Sequence, residues 1–351
     1  MIPDTLPGLN VVALEGWLRR EHPKMLAGSP LSARRIVGGL SNLSYRIDGG
    51  MSPWVLRRPP LGHVLSTAHD MGREFRVMSA LSGTAVPVPR THVLRDDSSG
   101  SAGVGAQFYL MDFVEGKTLN GREDNAMYAR DAISQLGPEL ARVLARLHEV
   151  DLAAVGLADF GRPAGFLTRQ VGRWTRQLEK SRSRDLPTLD RLQLLVSSSV
   201  PASASSSLVH GDYRLDNTLV AQQAPQVLAV LDWEMSTLGD PLTDLGLLGV
   251  YWDLHEVPGA TESPLASAID PAVGYVSFDA IVDTYSSERG IPVPDLSWYV
   301  AFGAFKLAVV LEGIHYRYTL GQTVGDGFDT IGRLVPGVTE VGLRRLGKTR
   351  S

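Results

Sequence analysis

The spacing of hydrophobic positions changes along the chain, predicting short strands with few helices first and mainly helices afterwards. Apolar residues recur at helical spacing from Asn10 to Glu21, and again in the stretch MGREFRVMSAL that begins at Met71. Short apolar runs bounded by Gly, Pro and Asp accompany these segments, namely RRIV, LSYRI, PWVLRR and AQFYLMDFVEG. Such runs predict strands joined by tight turns, because Gly and Pro interrupt regular structure.

After about residue 114 the pattern becomes that of amphipathic helices, in the stretches AISQLGPELARVLARLHEV, RQVGRWTRQLEKSR and TLDRLQLLVSS. The low-complexity run at 197–207 predicts a flexible surface segment. QVLAVLDWE then predicts a buried strand and GDPLTDLGLLGVYW a helix, with Asp240 before Pro241 as its N-cap. Strands first and helices later predict an α+β chain of two lobes.

The composition excludes several classes of function. Of the 351 residues, 44% are hydrophobic and 21% charged, and the net charge of −4 offers no basic face for nucleic acid. The chain has no cysteine, which excludes disulfides, a thiolate nucleophile and cysteine-bound zinc. The N-terminus lacks the pattern of a signal peptide, and AFGAFKLAVVLEGI contains Lys306 and Glu312 and is too short to cross a bilayer. We therefore expect a cytoplasmic protein with no membrane partner, in which this stretch is a buried helix.

The stretch LVHGDYRLDNTLV, from Leu208 to Val220, concentrates polar groups between two apolar pairs. Asn217 follows Asp212 by five residues, and Asp232 ends the next predicted strand. These side chains supply the hard oxygen ligands that Mg²⁺ prefers, and phosphoryl transfer needs that metal plus one carboxylate to orient the attacking hydroxyl. Each residue alone is typical of a turn or a cap, but the two motifs together favour catalysis.

These motifs resemble those of kinase-like proteins. HGDYRLDN matches the catalytic-loop pattern H-x-D-x-x-x-x-N, and LDWE stands where the metal-binding DFG segment would be. The glycine after the histidine and the following GDPLTDLG resemble the aminoglycoside and choline phosphotransferase branch rather than protein kinases. The wider sequence, from about Ile36 to about Thr323, is similar to the phosphotransferase-like domains related to those fused to some acyl-CoA dehydrogenases.

The resemblance implies catalytic and metal-binding roles for the residues that match these motifs. Asp212 would be the catalytic base or the carboxylate that orients the hydroxyl. Arg214 falls where protein kinases carry a lysine that reaches the γ-phosphate. Asn217 and Asp232 would bind Mg²⁺.

Other polar residues near the motifs are assigned supporting roles by the same resemblance. Glu234 is left open between a group behind the metal ligands and a ligand of a second metal. His210 would be structural, with Asp244 as the partner of its ring or its backbone. His148, at the end of an amphipathic helix, is expected to pack or to interact with the C-terminal dipole of that helix.

In the N-terminal lobe the resemblance implies a phosphate-binding loop and an ion pair. The stretch WVLR stands where kinases carry V-A-I-K, so Arg57 would contact the phosphates with Glu74 as its helix partner. Arginine replaces the usual lysine here, and strand alternation allows only one of Arg57 and Arg58 to face the nucleotide. The stretch VGGLSNLSY would cover the phosphates through Gly38, Gly39, Ser41 and Asn42.

The stretch LMDFVEG resembles the hinge that binds adenine. Met111 would be the gatekeeper, while the carbonyl of Asp112 and the amide of Val114 would bond the base. The implied architecture is a two-lobed, protein-kinase-like α+β fold. Residues 1–113 would form an N-terminal nucleotide-binding lobe, an antiparallel sheet with a helix, and residues 114–351 a mainly helical C-terminal lobe with the catalytic loop and acceptor site.

The expected reaction moves the γ-phosphoryl group of ATP, with GTP as the alternative donor, to a hydroxyl of a small molecule, with Mg²⁺ as cofactor. The stretch at 301–322 mixes apolar, aromatic and cationic groups, which favours a hydroxy-acid or hydroxyacyl-type acceptor over an antibiotic. Four carboxylates at 253–270 leave an aminoglycoside acceptor open. The other alternative is a non-catalytic nucleotide-binding regulatory module. The oligomeric state is not predicted.

Overall fold

The computed structural model describes residues 5–36, 42–61, 70–263, 267–322 and 328–348. Contacts between residues divide the chain into two compact units, one of Met1–Glu115 with Ala229–Glu234 and one of Gly116–Leu228 with Met235–Ser351. The expected division into lobes at 1–113 and 114–351 stays a prediction. Nothing in the sequence pattern indicated that Ala229–Glu234 groups with the first unit.

The first unit is built on one antiparallel sheet, as expected. Its elements are β1 (Thr5–Leu6), β2 (Leu9–Asn10), α1 (Val11–Glu21), β3 (Ser32–Ile36), β4 (Leu43–Asp48), β5 (Trp54–Arg58), α2 (Met71–Leu81), β6 (Thr91–Arg95) and β7 (Phe108–Asp112). The order of the five longer strands in the sheet is β3-β4-β5-β7-β6. The register places Arg57 of β5 opposite Tyr109 of β7.

Alternation along the strands gives this sheet a buried face. Tyr45 and Ile47 on β4 have no exposed surface, and they join a hydrophobic core with the apolar side of α1. Side chains two residues apart on a strand share a face, so these two positions follow directly from the period of the strand. The α1 residues of this core are Val11, Leu14, Trp17 and Leu18.

Both helices of the first unit begin at a polar cap. The side chain of Asn10 accepts a hydrogen bond of 3.0 Å from the amide of Ala13, and that of Asp70 accepts one of 3.0 Å from the amide of Arg73. Asn and Asp are favoured at this position because their oxygens satisfy amides that have no partner within the helix. The two helices predicted for this unit are therefore confirmed.

The second unit is mainly helical, as expected. It contains α3 (Arg130–Glu149), α4 (Phe166–Ser181), α5 (Pro187–Ser198), α6 (Leu242–Asp253), α7 (Phe278–Arg289), α8 (Ser297–Thr319) and α9 (Phe328–Lys348). Short strands flank the predicted catalytic loop, namely β8 (Ser207–Val209), β9 (Thr218–Val220), β10 (Val227–Val230), which runs on into the first unit, and β11 (Thr237–Gly239). β8 pairs with β11 in antiparallel fashion and so fixes the start of that loop.

Helices α6 and α8 approach each other closely at two glycines. A Cβ atom on Gly246 would lie 2.5 Å from the carbonyl carbon of Tyr299, and one on Gly303 would lie 3.0 Å from Cα of Leu247. The first distance is too short for a side chain, so the packing requires glycine at 246, and the second would force the neighbouring backbone to shift slightly. The contact sets the position of α8 relative to α6, and both helices carry residues that surround the catalytic loop.

Helix α8 differs from its expected length. The apolar stretch was predicted to be a buried helix, which is confirmed, and to be too short to cross a bilayer, which was wrong because the helix runs the full 23 residues from Ser297 to Thr319. By length and composition this helix could span a membrane, with a mean hydropathy of 1.4 over its most apolar window. Of that window, 78% is buried inside the protein, as in the core helix of a globular domain.

Asp240 caps the start of α6 from one position further out than expected. Pro241 occupies the N-cap, but Oδ1 of Asp240 accepts a hydrogen bond of 3.0 Å from the amide of Leu242. Its other oxygen accepts bonds from the hydroxyls of Ser203, at 2.7 Å, and Tyr299, at 3.0 Å. The carboxylate therefore joins α6 to α8 and to the serine-rich segment, whose residues 202–206 are exposed.

Candidate active site

Arg57 and Arg58 lie on opposite faces of β5, and their contacts show which of the two faces the carboxylates. The Nε of Arg57 lies 3.1 Å from Oε2 of Glu74, and its Nη2 lies 2.6 Å from Oδ1 of Asp232. Arg58 instead donates 2.7 Å hydrogen bonds to the carbonyls of Gly8 and Val104. Arg57 is therefore the arginine that faces the carboxylates, and Arg58 ties the strand to neighbouring loops.

Glu74 is almost completely buried, with 1% of its surface exposed. Its oxygens accept hydrogen bonds from the hydroxyl of Tyr109 at 2.8 Å and from the amide of Asn42 at 3.0 Å. Burial raises the pKa of Glu74 above its usual value, although the neighbouring Arg57 opposes that shift. The expected Arg57–Glu74 pair is thus a buried contact that Tyr109 and Asn42 complete.

Asp232 sits on a strained stretch of backbone. It has a φ of 65°, and among the described residues it is the only non-glycine with a positive φ. This region is sparsely populated for residues with a side chain, although aspartate tolerates it better than most. Such strain is concentrated at functional sites, where the surrounding structure holds the residue in place.

Three carboxylates of the first unit form a group that fits a metal ion. One oxygen each from Glu74, Asp232 and Glu234 lies within 4.8 Å of the others. Carboxylate oxygens are the ligands that Mg²⁺ prefers, and Arg57 is the cation already bound to two of them. The chemistry of this donor set therefore fits Mg²⁺, with Asp232 and Glu234 less buried than Glu74.

The predicted hinge residues lie at the end of β7. Met111 is buried opposite Val55 of β5, and Asp112 ends the strand. The carboxylate of Asp112 is held by His92, whose Nε2 lies 2.6 Å from Oδ1. Val114 follows as a half-buried residue beyond the sheet. Of the expected phosphate loop only Asn42 lies within the described residues, because Gly38, Gly39 and Ser41 lie outside them.

In the second unit the catalytic loop turns immediately after β8. Gly211 has a φ of 85°, and a Cβ atom there would lie 2.7 Å from the carbonyl oxygen of Met235, so the position requires glycine. The turn presents Asp212, whose side chain is only 25% exposed. The geometry of the loop therefore explains why a glycine follows the histidine.

Two side chains hold the carboxylate of Asp212 from opposite ends. The hydroxyl of Tyr251 on α6 donates a hydrogen bond of 3.0 Å to Oδ1. The amide nitrogen of Asn217 donates to Oδ2 at 2.9 Å and to the main-chain carbonyl of Asp212 at 2.8 Å. The side chain of Asn217 thus uses its nitrogen on the loop, leaving its oxygen as the atom that would hold a metal.

Cations keep Asp212 ionised. Burial alone would raise its pKa, but Arg214 and Lys306 outweigh that effect and hold the pKa of Asp212 below its usual value. The Nε of Arg214 lies 3.6 Å from Oδ2 of Asp212, and its Nη1 lies 2.9 Å from Asp216. Lys306 on α8 donates a hydrogen bond to the carbonyl of Gly211. The carboxylate is therefore charged at neutral pH and able to accept a hydrogen bond from a hydroxyl group.

Asp244 holds the backbone of the catalytic loop. Its oxygens accept hydrogen bonds from the amide of His210 at 2.7 Å and from the amide of Gly211 at 2.8 Å. Asp244 therefore binds the backbone of His210, one of the two partners considered for it. The ring of His210 accepts a bond of 3.2 Å from the amide of Asp212, in keeping with a structural role. His148 also reaches Asp244, at 3.3 Å, which the sequence did not indicate.

Several residues at the site have no signal in the sequence. Tyr109, Tyr251 and Lys306 come from β7, α6 and α8, and they reach the motif residues only through the register of the sheet and the packing of the helices. Trp174 of α4 belongs to the same set, because the Nζ of Lys306 lies 5.4 Å from the centre of its ring. Lys306 was noted only as part of a stretch expected to line the acceptor site.

Comparisons with known proteins agree with this geometry. The family described as "Phosphotransferase enzyme family" matches residues 32–267. The chain is 32% identical to acyl-CoA dehydrogenase family member 10 of Mus musculus over 97% of its own length and 32% of that protein, so it spans about a third of this relative. A solved structure of a putative aminoglycoside phosphotransferase from Ralstonia eutropha is 33% identical, with a TM-score of 0.80 over 96% of this chain and 98% of that one.

A more distant structure, the GDP complex of an aminoglycoside 2'-phosphotransferase, shares the fold. Its TM-score is 0.62 at 16% identity, covering 94% of this chain and 99% of the other. The expected α+β, kinase-like fold is therefore confirmed. Because the family match covers well over half of the sequence, this chain belongs to the phosphotransferase enzyme family.

Proposed function

We propose that the protein is a small-molecule kinase that uses ATP and Mg²⁺ and phosphorylates a hydroxyl group. The observation that carries this proposal is the state of Asp212, which is ionised, half-buried and held at both carboxylate oxygens by Tyr251 and Asn217. A carboxylate that serves only as a cap or turn residue does not need this arrangement. A general base does, because it must be both charged and correctly oriented.

The reaction follows from the residues at hand. Asp212 orients the acceptor hydroxyl and takes its proton as the hydroxyl oxygen bonds to the γ-phosphorus. The bond from that phosphorus to the bridging oxygen breaks, and a nucleoside diphosphate leaves. Arg57 would neutralise phosphate charge, while Asp232 and Asn217 would hold Mg²⁺, which when bound supplies further neutralisation. The GDP complex of the distant aminoglycoside phosphotransferase supports a nucleotide as donor, with ATP or GTP open.

The surroundings of Asp212 support an acceptor that carries negative charge. Burial raises the pKa of Asp212, and the nearby Lys306 lowers it. Burial lowers the pKa of Lys306, and the nearby Arg173 lowers it further. Cations next to the base repel a polycationic acceptor and attract an acidic one. The aromatic ring of Trp174 beside Lys306 adds an apolar surface. These features support a hydroxy-acid or hydroxyacyl-type acceptor.

Three of the four carboxylates that could have formed an aminoglycoside pocket are paired with arginines. Asp253 pairs with Arg345 at 2.6 Å, Glu256 with Arg344 at 2.9 Å, and Asp270 with Arg122 at 3.3 Å. A carboxylate already paired with an arginine is a poor partner for an incoming amine. An antibiotic phosphotransferase nevertheless remains the second candidate, because the Ralstonia structure is described as a putative aminoglycoside phosphotransferase.

The proposal is tested by nucleotide turnover on the purified chain. Mg²⁺-dependent release of ADP would be measured against aminoglycosides, choline, sugars, hydroxy acids and hydroxyacyl-CoAs, for the native chain and for Asp212→Asn. We expect turnover stimulated by an acidic or acyl acceptor, and its loss in the variant. Stimulation by aminoglycosides alone would select the second candidate. Tight nucleotide binding without turnover on any acceptor would instead favour a non-catalytic nucleotide-binding module.

A further inference from the structure

A chain of buried hydrogen bonds runs through the second unit to the catalytic loop. Arg289 on α7 donates to the hydroxyl of Tyr285 at 3.2 Å. That hydroxyl lies 2.8 Å from Nδ1 of His148 on α3, and Nε2 of His148 lies 3.3 Å from Oδ2 of Asp244 on α6. Since Asp244 also binds two amides of the loop, the chain ends on the backbone that carries Asp212.

The bonds in this chain can all be assigned one direction, from Arg289 towards Asp244. A guanidinium can only donate, so the oxygen of Tyr285 accepts from Arg289 and its own proton is left for Nδ1 of His148. When Nδ1 of a neutral imidazole accepts a hydrogen bond, the ring carries its proton on Nε2. In His148 that proton faces the carboxylate of Asp244. Three helices are thereby joined by bonds of one consistent direction.

The environment of the ring favours this neutral form. His148 has no exposed side-chain surface, and burial lowers its pKa even though Asp244 and Asp240 raise it. Arg289 also lowers it from the other side of Tyr285. A second contact fixes the residue in place, because Ser207 donates a hydrogen bond of 2.8 Å to the main-chain carbonyl of His148.

We propose that His148 and Tyr285 are positioning residues for phosphoryl transfer. By donating to Asp244 through Nε2, His148 orients the carboxylate that holds the amides of His210 and Gly211, and so fixes the turn that presents the base. The proposal rests on the proposed function, since the base it positions is the one assigned there. Neither residue touches the reacting groups, and neither belongs to the catalytic-loop or metal-strand motifs.

Two variants separate this role from simple packing. Tyr285→Phe removes the hydroxyl but keeps the ring, and His148→Gln keeps an N–H at the end of a side chain. The matched control is Tyr275→Phe, because Tyr275 is equally buried and donates a 2.9 Å hydrogen bond to Asn125, outside this chain of contacts. The test variant Tyr285→Phe and the control variant Tyr275→Phe thus each lose one buried tyrosine hydroxyl.

The first readout needs no activity. In nitrogen-resolved NMR of the native protein we expect His148 as the Nε2–H tautomer, with the amide resonances of His210 and Gly211 shifted by the carboxylate of Asp244. Tyr285→Phe should mix the tautomers and move both amide resonances, and Tyr275→Phe should do neither. Unchanged tautomer and amide signals in Tyr285→Phe would overturn the proposal, whatever the turnover of the protein.

The second readout is kinetic. We expect Tyr285→Phe to lower kcat by about tenfold, the scale of one neutral hydrogen bond, with the KM for nucleotide within about twofold of the native value. His148→Gln should retain more activity than His148→Leu. A fall in kcat no larger than that of Tyr275→Phe would contradict the positioning role. Absence of turnover in the native chain would count against the proposed function and leave the NMR result to decide this inference.

Discussion

The hydroxyl of Tyr251 donates a hydrogen bond of 3.0 Å to Oδ1 of Asp212, joining the last turn of α6 to the catalytic loop. Burial raises the pKa of Tyr251 well above its usual value, and the adjacent Asp212 carboxylate raises it further, so the phenol keeps its proton. The donor is therefore present at neutral pH. This contact is a means of orienting the base that no motif in the sequence contains.

Replacing Tyr251 should affect catalysis more than folding. Hydrogen bonds to charged groups contribute about 1.5–3 kcal/mol, so Tyr251→Phe should lower kcat by roughly 10- to 100-fold. Steady-state kinetics on the best acceptor measures the effect, with Tyr275→Phe, whose hydroxyl donates to Asn125, as the control. A variant as active as the control would show that Asp212 is positioned without this bond.

The Arg57–Glu74 pair yields a prediction about stability. Arg57→Met leaves the buried carboxylate of Glu74 without its cation, and breaking a buried pair in this way costs about 3–5 kcal/mol of the free energy of unfolding. Neutralising the carboxylate should recover part of that loss, because glutamine keeps one oxygen for the amide of Asn42 and offers an N–H to the hydroxyl of Tyr109. Urea unfolding of Arg57→Met and of Arg57→Met with Glu74→Gln measures both effects.

The order of stabilities decides this prediction. We expect the double variant to be more stable than Arg57→Met alone. If the double variant is less stable than the single one, the carboxylate is not left uncompensated in the single variant. Arg34→Met serves as a control, since Arg34 is an exposed arginine on the same sheet.

His148 should make stability depend on pH in the mildly acidic range. Burial lowers its pKa below the usual 6.5, so the unfolded chain binds this proton at a higher pH than the folded chain does. Stability rises with pH wherever the unfolded state binds more protons, so the contribution of His148 is complete above about pH 7.5 and is lost as pH falls through the unfolded value. Urea midpoints at a series of pH values should fall on acidification, and less steeply for His148→Gln. Parallel curves for the two proteins would contradict this assignment.

Metal dependence should reside in Asp232. Its carboxylate, with Asn217, is the donor set proposed for Mg²⁺, so Asp232→Asn should weaken nucleotide binding in the presence of Mg²⁺ and remove most of the difference between binding with and without the metal. Calorimetric titration of a non-hydrolysable nucleotide provides the measurement. Glu234→Gln is the informative comparison. An effect as large as that of Asp232→Asn would make Glu234 a metal ligand, and a small effect would place it behind the ligands.

Residues that belong to a motif could be identified as site candidates from the sequence alone. Residues that packing brings to the site could not. Asp212, Asn217 and Asp232 could be recognised because the spacing of the loop and the following strand is local. Tyr251 and Lys306 could not, since helices α6 and α8 lie far along the chain and their rotation is set by contacts such as those at Gly246 and Gly303.

Strand register and helix ends limited the remaining predictions. Alternation showed that Arg57 and Arg58 must diverge, but only the pairing of β5 with β7 places Arg57 opposite Tyr109. The length of α8 was underestimated because its two ends are not purely aliphatic. Trp298 and Tyr299 extend the helix at its start, and polar residues extend it in its last turns.

The central claim is that Asp212 makes this chain a kinase for a small-molecule hydroxyl. The most direct measurement is ³¹P NMR of a reaction containing ATP, Mg²⁺ and a hydroxy-acid or hydroxyacyl-CoA acceptor. We predict a new phosphomonoester resonance on the acceptor with the native chain, and none with Asp212→Asn under conditions in which that variant still binds nucleotide. An acceptor phosphorylated equally well by Asp212→Asn, or bound nucleotide with no phosphomonoester for any acceptor tried, would contradict the account.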